Sequence, residues 1–328
     1  MPDQRQPTSR DVAKLSGVSQ PTVSYVLNNT PGQRISDATR ARVHAAAASL
    51  GYSPSRAAQT LARGGRSRVV ILNAPEGPAA SSRDEYFSIL SAVLDDAGWT
   101  LLTHFPPSEN ALAHLLKLVE STNADAVLDA FNDAETIEEL VRRQILVVPL
   151  VPPSSWTEIL VAPVEIQMDH LVNAERRNLA TVSPTAADEA VPVQTRTDHL
   201  RQRCAALGLP EPVHLWWTGD LDALTDDLRA HASSVDGVLA HNDATALPVL
   251  SAAHRLGLRV PDDLAVVGAD DSFLAALTVP ALTSVAVKQS PESMKRSATR
   301  IAHALSRPDD VPESDLGVEF ILVARESA

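Results

Sequence analysis

Two sets of side chains in this 328-residue chain have the types and spacing to do specific chemistry. The first is Gln20, Pro21, Ser24, Tyr25 and Asn28, which fall on one side of a short helix whose other side carries Val23 and Leu27. Short donors and acceptors on such a face suit contacts to base edges and phosphates in a DNA major groove. The second is His241, Asp243, Asp270 and Asp271, which could be imagined as an acid–base set. In a chain with ten histidines, though, such neighbours are ordinary. No G-x-G-x-x-G follows a strand, and the sequence holds no G-x-x-x-x-G-K, G-x-S-x-G or H-E-x-x-H. Enzymatic activity is therefore not expected. Cys204 is the only cysteine, which excludes an internal disulfide and a cysteine-based zinc cluster; neither metal nor cofactor is expected.

The elements that carry the first set lie in a basic amino-terminal segment. Residues 1–66 hold nine Lys or Arg against three Asp, a net charge of +6, while the remainder holds 19 basic and 38 acidic residues, a net of −19. A small cationic head on a large anionic body is suited to a polyanionic partner. Thr8 and Asp11 have capping-box spacing, Val12 and Leu15 lie three apart, and Gly17 can end the first helix. Ser19 caps a second helix with Pro21 in its first turn, where a missing N–H costs little. Ser36 caps a third, whose Val43, Ala47 and Leu50 form one stripe before Gly51. Two short helices joined by a tight Gly turn make a helix-turn-helix, and a generic three-helix domain is the bland alternative.

From Val69 onward, short apolar runs such as Val69–Leu72, Leu146–Leu150 and Leu264–Gly268 alternate with helical stretches such as Glu85–Ala97 and Pro291–Leu305. Strict alternation predicts parallel sheets covered on both faces by helices. About 260 residues of this pattern suggest two lobes, with ligands expected at the strands' carboxyl ends between them. No apolar run approaches the ~18 residues of a membrane span, and Met1–Arg10 is polar rather than a secretory leader. A cytoplasmic protein is expected.

Asp11-Val12-Ala13-Lys14-Leu15-Ser16-Gly17-Val18-Ser19, followed by Thr22-Val23-Ser24 and Val26-Leu27-Asn28, resembles the start of LacI/GalR-type transcriptional regulators. Thr39–Val43 and Leu50–Pro54 continue the pattern, and Val235–Leu247, Leu256–Ser272 and Leu282–Val285 extend it through the body. The resemblance implies a helix-turn-helix DNA-binding domain over 1–54, a hinge helix and linker over 55–67, and a two-lobed, periplasmic-binding-protein-like core over 68–328. It implies a homodimer on a pseudo-palindromic double-stranded DNA operator, with repression as the expected sense and a small-molecule effector held between the lobes. A regulator of the same fold that ignores effectors, or answers to a protein, is the alternative.

By the same resemblance, Thr8, Ser19, Gln20, Pro21, Thr22, Ser24, Tyr25 and Asn28 face DNA. Arg56, Ala57, Ala58 and Leu61 belong to a hinge that folds when paired on DNA, with Leu61 wedging into the minor groove. Read from its residues alone, that segment is a Gly/Arg linker too short to be a stable helix. Arg196, Asn242 and Asp270 match polar pocket positions, and Tyr86 and Phe87 an aromatic pair on the first lobe's wall. A planar fork of donors with a neighbouring amide and carboxylate suits hydroxyls or a carboxylate. Each residue has a plainer reading: Asn242 as a helix cap, Arg196 as a surface ion pair, the aromatic pair as core. Departures from the family pattern are Tyr25 where arginine is commoner, Pro21 for a small or polar residue, Ile159 near a pocket Asp, and Pro163 near the glycine after it.

Overall fold

The computed structural model describes residues 7–27, 32–52, 67–74, 81–105, 110–130, 133–185, 190–308 and 317–328. Its internal contacts divide the chain into two compact units, 1–68 and 69–328.

The first unit holds α1 (Ser9–Ser16), α2 (Gln20–Leu27) and α3 (Asp37–Leu50). Thr8 starts α1 as its capping box requires: its N–H and its hydroxyl both donate to the Asp11 carboxylate, at 2.8 and 2.6 Å. Gly17 ends the helix with a φ of 67°, a left-handed turn that glycine takes without strain. Ser36 starts α3 by accepting the Thr39 N–H. Val12, Ala13, Val23, Val26, Val43, Ala46 and Ala47 form the core. Leu15 is exposed, which corrects one expectation; Leu27 packs partly buried against the core as its spacing from Val23 implies, and Val26 is buried beside them. Leu15 lies about 60° from Val12 on the helical wheel but on the side away from Ala13 and Ser16, and the buried stripe runs through Val12, Ala13 and Ser16.

In the second unit, β1 (Val69–Asn73), β2 (Thr100–His104), β3 (Ala126–Asp129) and β4 (Leu146–Pro149) form an all-parallel sheet in the order β2-β1-β3-β4. Between them run α4 (Ser81–Asp96), α5 (Ala111–Thr122) and α6 (Ala134–Arg142). After β4 a long helix, α7 (Pro153–Asn173), leads to the second sheet. That sheet has the order β10-β9-β8-β7-β5-β6. It comprises β5 (Leu179–Pro184), β6 (Val213–Trp217), β7 (Gly237–Ala240), β8 (Ala265–Ala269), β9 (Thr283–Gln289) and β10 (Val318–Val323). Only β10 is antiparallel to its neighbour. The helices are α8 (Ala190–Ala206), α9 (Leu221–His231), α10 (Asp243–Leu256) and α11 (Pro291–Ser306).

Each sheet has an apolar cluster on either face, as a parallel sheet buried between helices requires. The chain also crosses back. Ala298, Ile301, Ala304 and Leu305 of α11 belong to the first sheet's core, although β9 before it and β10 after it belong to the second. Ser327 completes that return: it is fully buried, its hydroxyl donates to the Val266 carbonyl, and it accepts the Thr283 N–H.

Candidate functional site: a polar helix face and two strand-end clusters

In the first unit, Ser19, Gln20, Pro21, Ser24 and Tyr25 are exposed along one side of α2, and Thr22 and Thr8 are half-buried beside them. Ser19 accepts the Thr22 N–H and bonds its hydroxyl, so it holds the helix start. The Gln20 amide donates to Ser9 on α1 at 2.8 Å, a tie between the two helices. Ser24 and Tyr25, with the Pro21 edge between them, form the exposed rim of α2. Asn28, Arg56, Ala57, Ala58 and Leu61 lie outside the described residues.

In the second unit, the carboxyl ends of the first sheet carry a polar chain that sequence reasoning missed. The Asn73 amide donates to Asp129 Oδ1 at 3.1 Å, and Asn73 Oδ1 bonds His104 Nδ1 at 3.0 Å. These three residues are the last of β1, β3 and β2. A polar residue ending three apolar runs was the available signal. Burial lowers the His104 pKa, and nearby His114 lowers it further. On the same lobe Tyr86 and Phe87 are half-buried against the core, with ring centroids 6.3 Å apart. The Tyr86 hydroxyl bonds Ser297 Oγ on α11 at 3.1 Å. Tyr86 therefore has a polar engagement as well as a packing role.

At the second sheet's strand ends, Arg196 from α8 reaches a small internal cavity of about 10 Å³, room for about one water. Its Nε donates to the Leu160 carbonyl at 2.9 Å and its Nη1 to the His241 carbonyl at 2.6 Å. Gln167 of α7 lines the same cavity, and its Nε2 lies within 2.9–3.1 Å of the Ala240, Val267 and Gly268 carbonyls. Asn242 Oδ1 accepts the Thr245 N–H and the Asn242 N–H donates in return to Thr245 Oγ1, capping α10. Asp270 adopts φ 90° and Asp271 φ 46°, so two successive side chains sit on left-handed backbone. The Val285 carbonyl accepts the Asp270 N–H, and Ser284 Oγ accepts that of Asp271. Asp271 also pairs with Arg325 at 2.6 Å.

Asp243 is fully buried, and it accepts the Ser284 hydroxyl and the Ser272 N–H, both at 2.6 Å. Burial pushes its pKa up to about 6, against the pull of those bonds. Both oxygens of Asp243 are thus engaged within the fold, and the imagined acid–base set with His241 loses its nearest carboxylate. Ile159 and Pro163, near where the family pattern has a pocket Asp and its following glycine, both lie inside α7. They are the two ends of one missing helical bond, because Pro163 has no N–H for the Ile159 carbonyl. In the same turn the Leu160 carbonyl turns to Arg196.

A helix-turn-helix head followed by a doubly wound core with strand-end polar clusters defines the class of DNA-binding regulators built on a binding-protein fold. Residues 8–55 match "Bacterial regulatory proteins, lacI family", and residues 168–328 match "Periplasmic binding protein-like domain". The chain belongs to the lacI family of transcriptional regulators. It is 28% identical over 345 aligned positions to the HTH-type transcriptional regulator CelR of Thermobifida fusca, covering 100% of both chains. It is 25% identical to the ribose operon repressor of Escherichia coli (strain K12), covering 98% of this chain and 99% of the other. Among solved structures, the CelR–cellobiose complex matches with a TM-score of 0.63 at 26% identity, over 98% of this chain and 100% of that one. The lac repressor dimer bound to operator and the anti-inducer ONPF matches with a TM-score of 0.73 at 21% identity, over 98% and 99%. Among the described residues, no helix is long and apolar enough to cross a membrane.

Proposed function

We propose that this regulator is a cytoplasmic repressor that binds a pseudo-palindromic operator as a homodimer and is controlled by a small molecule between the lobes of its core. The observation that carries the reading is the exposed Ser24–Tyr25 rim of α2, on a head whose residues 1–66 bear a net +6. Two such helices enter successive major-groove faces about one turn or a small multiple apart. Tyr25 bonds a phosphate or stacks where an arginine would grip guanine, so the operator differs from those of arginine-bearing relatives. Residues 1–54 are the reader, 55–67 the hinge with Leu61 as its wedge, and 68–328 the sensor. Catalysis forms no part of the reading.

In the sensor, effector binding changes the relation of the lobes and moves the hinge origins near Arg66–Val69. Coupling between the two sites is typically about 1–3 kcal/mol and must be reciprocal. Tyr86 and Phe87 wall the first lobe, and Arg196, Asn242 and Asp270 lie at the second lobe's strand ends. Arg196 and Gln167 already bond backbone carbonyls of their own lobe, which supports a binding mode weighted toward the first lobe. The test is retardation of a DNA fragment from the gene's own upstream region. Wild-type protein should shift it, and Tyr25→Ala should weaken the shift with the fold intact by circular dichroism. Failure to retard any upstream fragment at low ionic strength overturns the reading.

A further inference from the structure

Among the described residues, a buried cation in the first lobe has no counter-charge. Arg300, on α11 one turn after Ser297, is only 6% exposed. Its Nη2 makes one long bond, 3.4 Å, to the Leu150 carbonyl, and its Nε has no partner. Among the described residues no carboxylate pairs with it; the one polar influence on its charge is the Tyr86 phenol. Its helix neighbours Ala298, Ile301 and Ala302 are core residues. A guanidinium cannot shed its proton to escape such a site. An unpaired buried charge is among the costliest arrangements in a protein interior, and it is relieved when a bound group supplies the opposite charge.

The position of this cation is informative. Leu150 directly follows β4, so the guanidinium head lies by the carboxyl ends of the first sheet, where doubly wound folds receive ligands. Nε and a neighbouring Nη form the planar fork that grips two oxygens of one group. Tyr86 and Ser297 place two hydroxyls beside it, and either can donate. We propose that Arg300, with Tyr86, receives the oxyanion of the effector, a carboxylate or a phosphate, so that this chain senses an acidic small molecule. The inference rests on the effector-controlled reading above and assigns the class of effector.

The test uses the full chain as wild type, Arg300→Met and Arg300→Lys. Thermal unfolding is followed at constant ionic strength with chloride exchanged for inorganic phosphate or for acetate. At least one of the two anions should raise the wild-type Tm saturably. Arg300→Lys should keep part of that rise, as a point charge without the fork. Arg300→Met should lose it, with apparent affinity down about ten- to a hundredfold. In chloride alone Arg300→Met should unfold above wild type, because an apolar chain of similar length replaces an unpaired charge. If Arg300→Met unfolds lower in chloride, or answers the anions as wild type does, the proposal is overturned. The cationic head also attracts anions, but equally in all three proteins. Retardation of upstream DNA by the same preparations separates the two failures: an Arg300-dependent anion response without DNA binding keeps the site and removes the regulator reading.

Discussion

Asp243 carries a buried carboxylate whose ionised form is held by Ser284 and the Ser272 N–H, yet burial prevails and its pKa stands near 6. Because that value lies above the ordinary 3.8, the folded state binds a proton that the unfolded chain has lost between those limits. Asp243 therefore favours folding below about pH 4, and this support is lost as pH rises through about 6. The wild-type unfolding free energy, relative to Asp243→Asn, should fall between pH 4 and 6 and level off above, by an amount on the order of 3 kcal/mol. A flat difference across that range would contradict the assignment. The carboxylate also fixes its neighbour: a Cβ at Gly268 would collide with Asp243 Oδ1 and press on Leu282. Gly268→Ala should cost about 1–3 kcal/mol in denaturant unfolding. Sequence alone marked Asn242 as a possible cap, and it is one. Asp243 stood beside it with the same credentials, and its partners Ser272 and Ser284 are 29 and 41 residues away, beyond any local pattern.

α7 shows why an element can escape a sequence reading. Its 21 residues contain Pro163, which argues against a continuous helix, and family spacing set Ile159 and Pro163 near a pocket Asp and its following glycine. Tertiary bonds hold it together. The Gln167 amide reaches three carbonyls at the ends of β7 and β8, and Leu160 takes a bond from Arg196. Gln167→Met should leave those strand-end carbonyls short of a donor and cost about 1–3 kcal/mol, read as a lower denaturant midpoint at unchanged m-value. If Gln167→Met is neutral, the amide is not what joins helix to sheet. β1, β3 and β4 were legible because all-apolar runs between helical stretches can only be buried parallel strands. The antiparallel β10 follows a crossover and pairs with β9 by contacts of long sequence separation, and nothing in its own run of Val, Phe, Ile and Leu states its direction.

At the scale of the molecule, the charge division governs behaviour on DNA. A head of +6 and a body of −19 oppose each other in any encounter with a duplex, so approach is oriented head first. If about 6–10 phosphates are engaged, operator affinity should fall by about 10³–10⁵ between 50 and 200 mM salt, measured by fluorescence anisotropy. A shallow slope would mean that the head's cations do not meet phosphate. Among the described residues the head's core closes by Tyr52, whereas the first sheet's core waits for α11 and the second for Ser327. On the ribosome the reader can thus be finished while both halves of the sensor are still open, since domains generally fold as units from the amino terminus. A polypeptide clipped before Pro291 would carry a finished head with neither sheet of its body closed, and, on the reading of an operator-bound homodimer, it would meet DNA only as an unpaired head. In a cell, operator occupancy would then follow the supply of chains made through Ser327, with fragments from the same gene only weak competitors for the site.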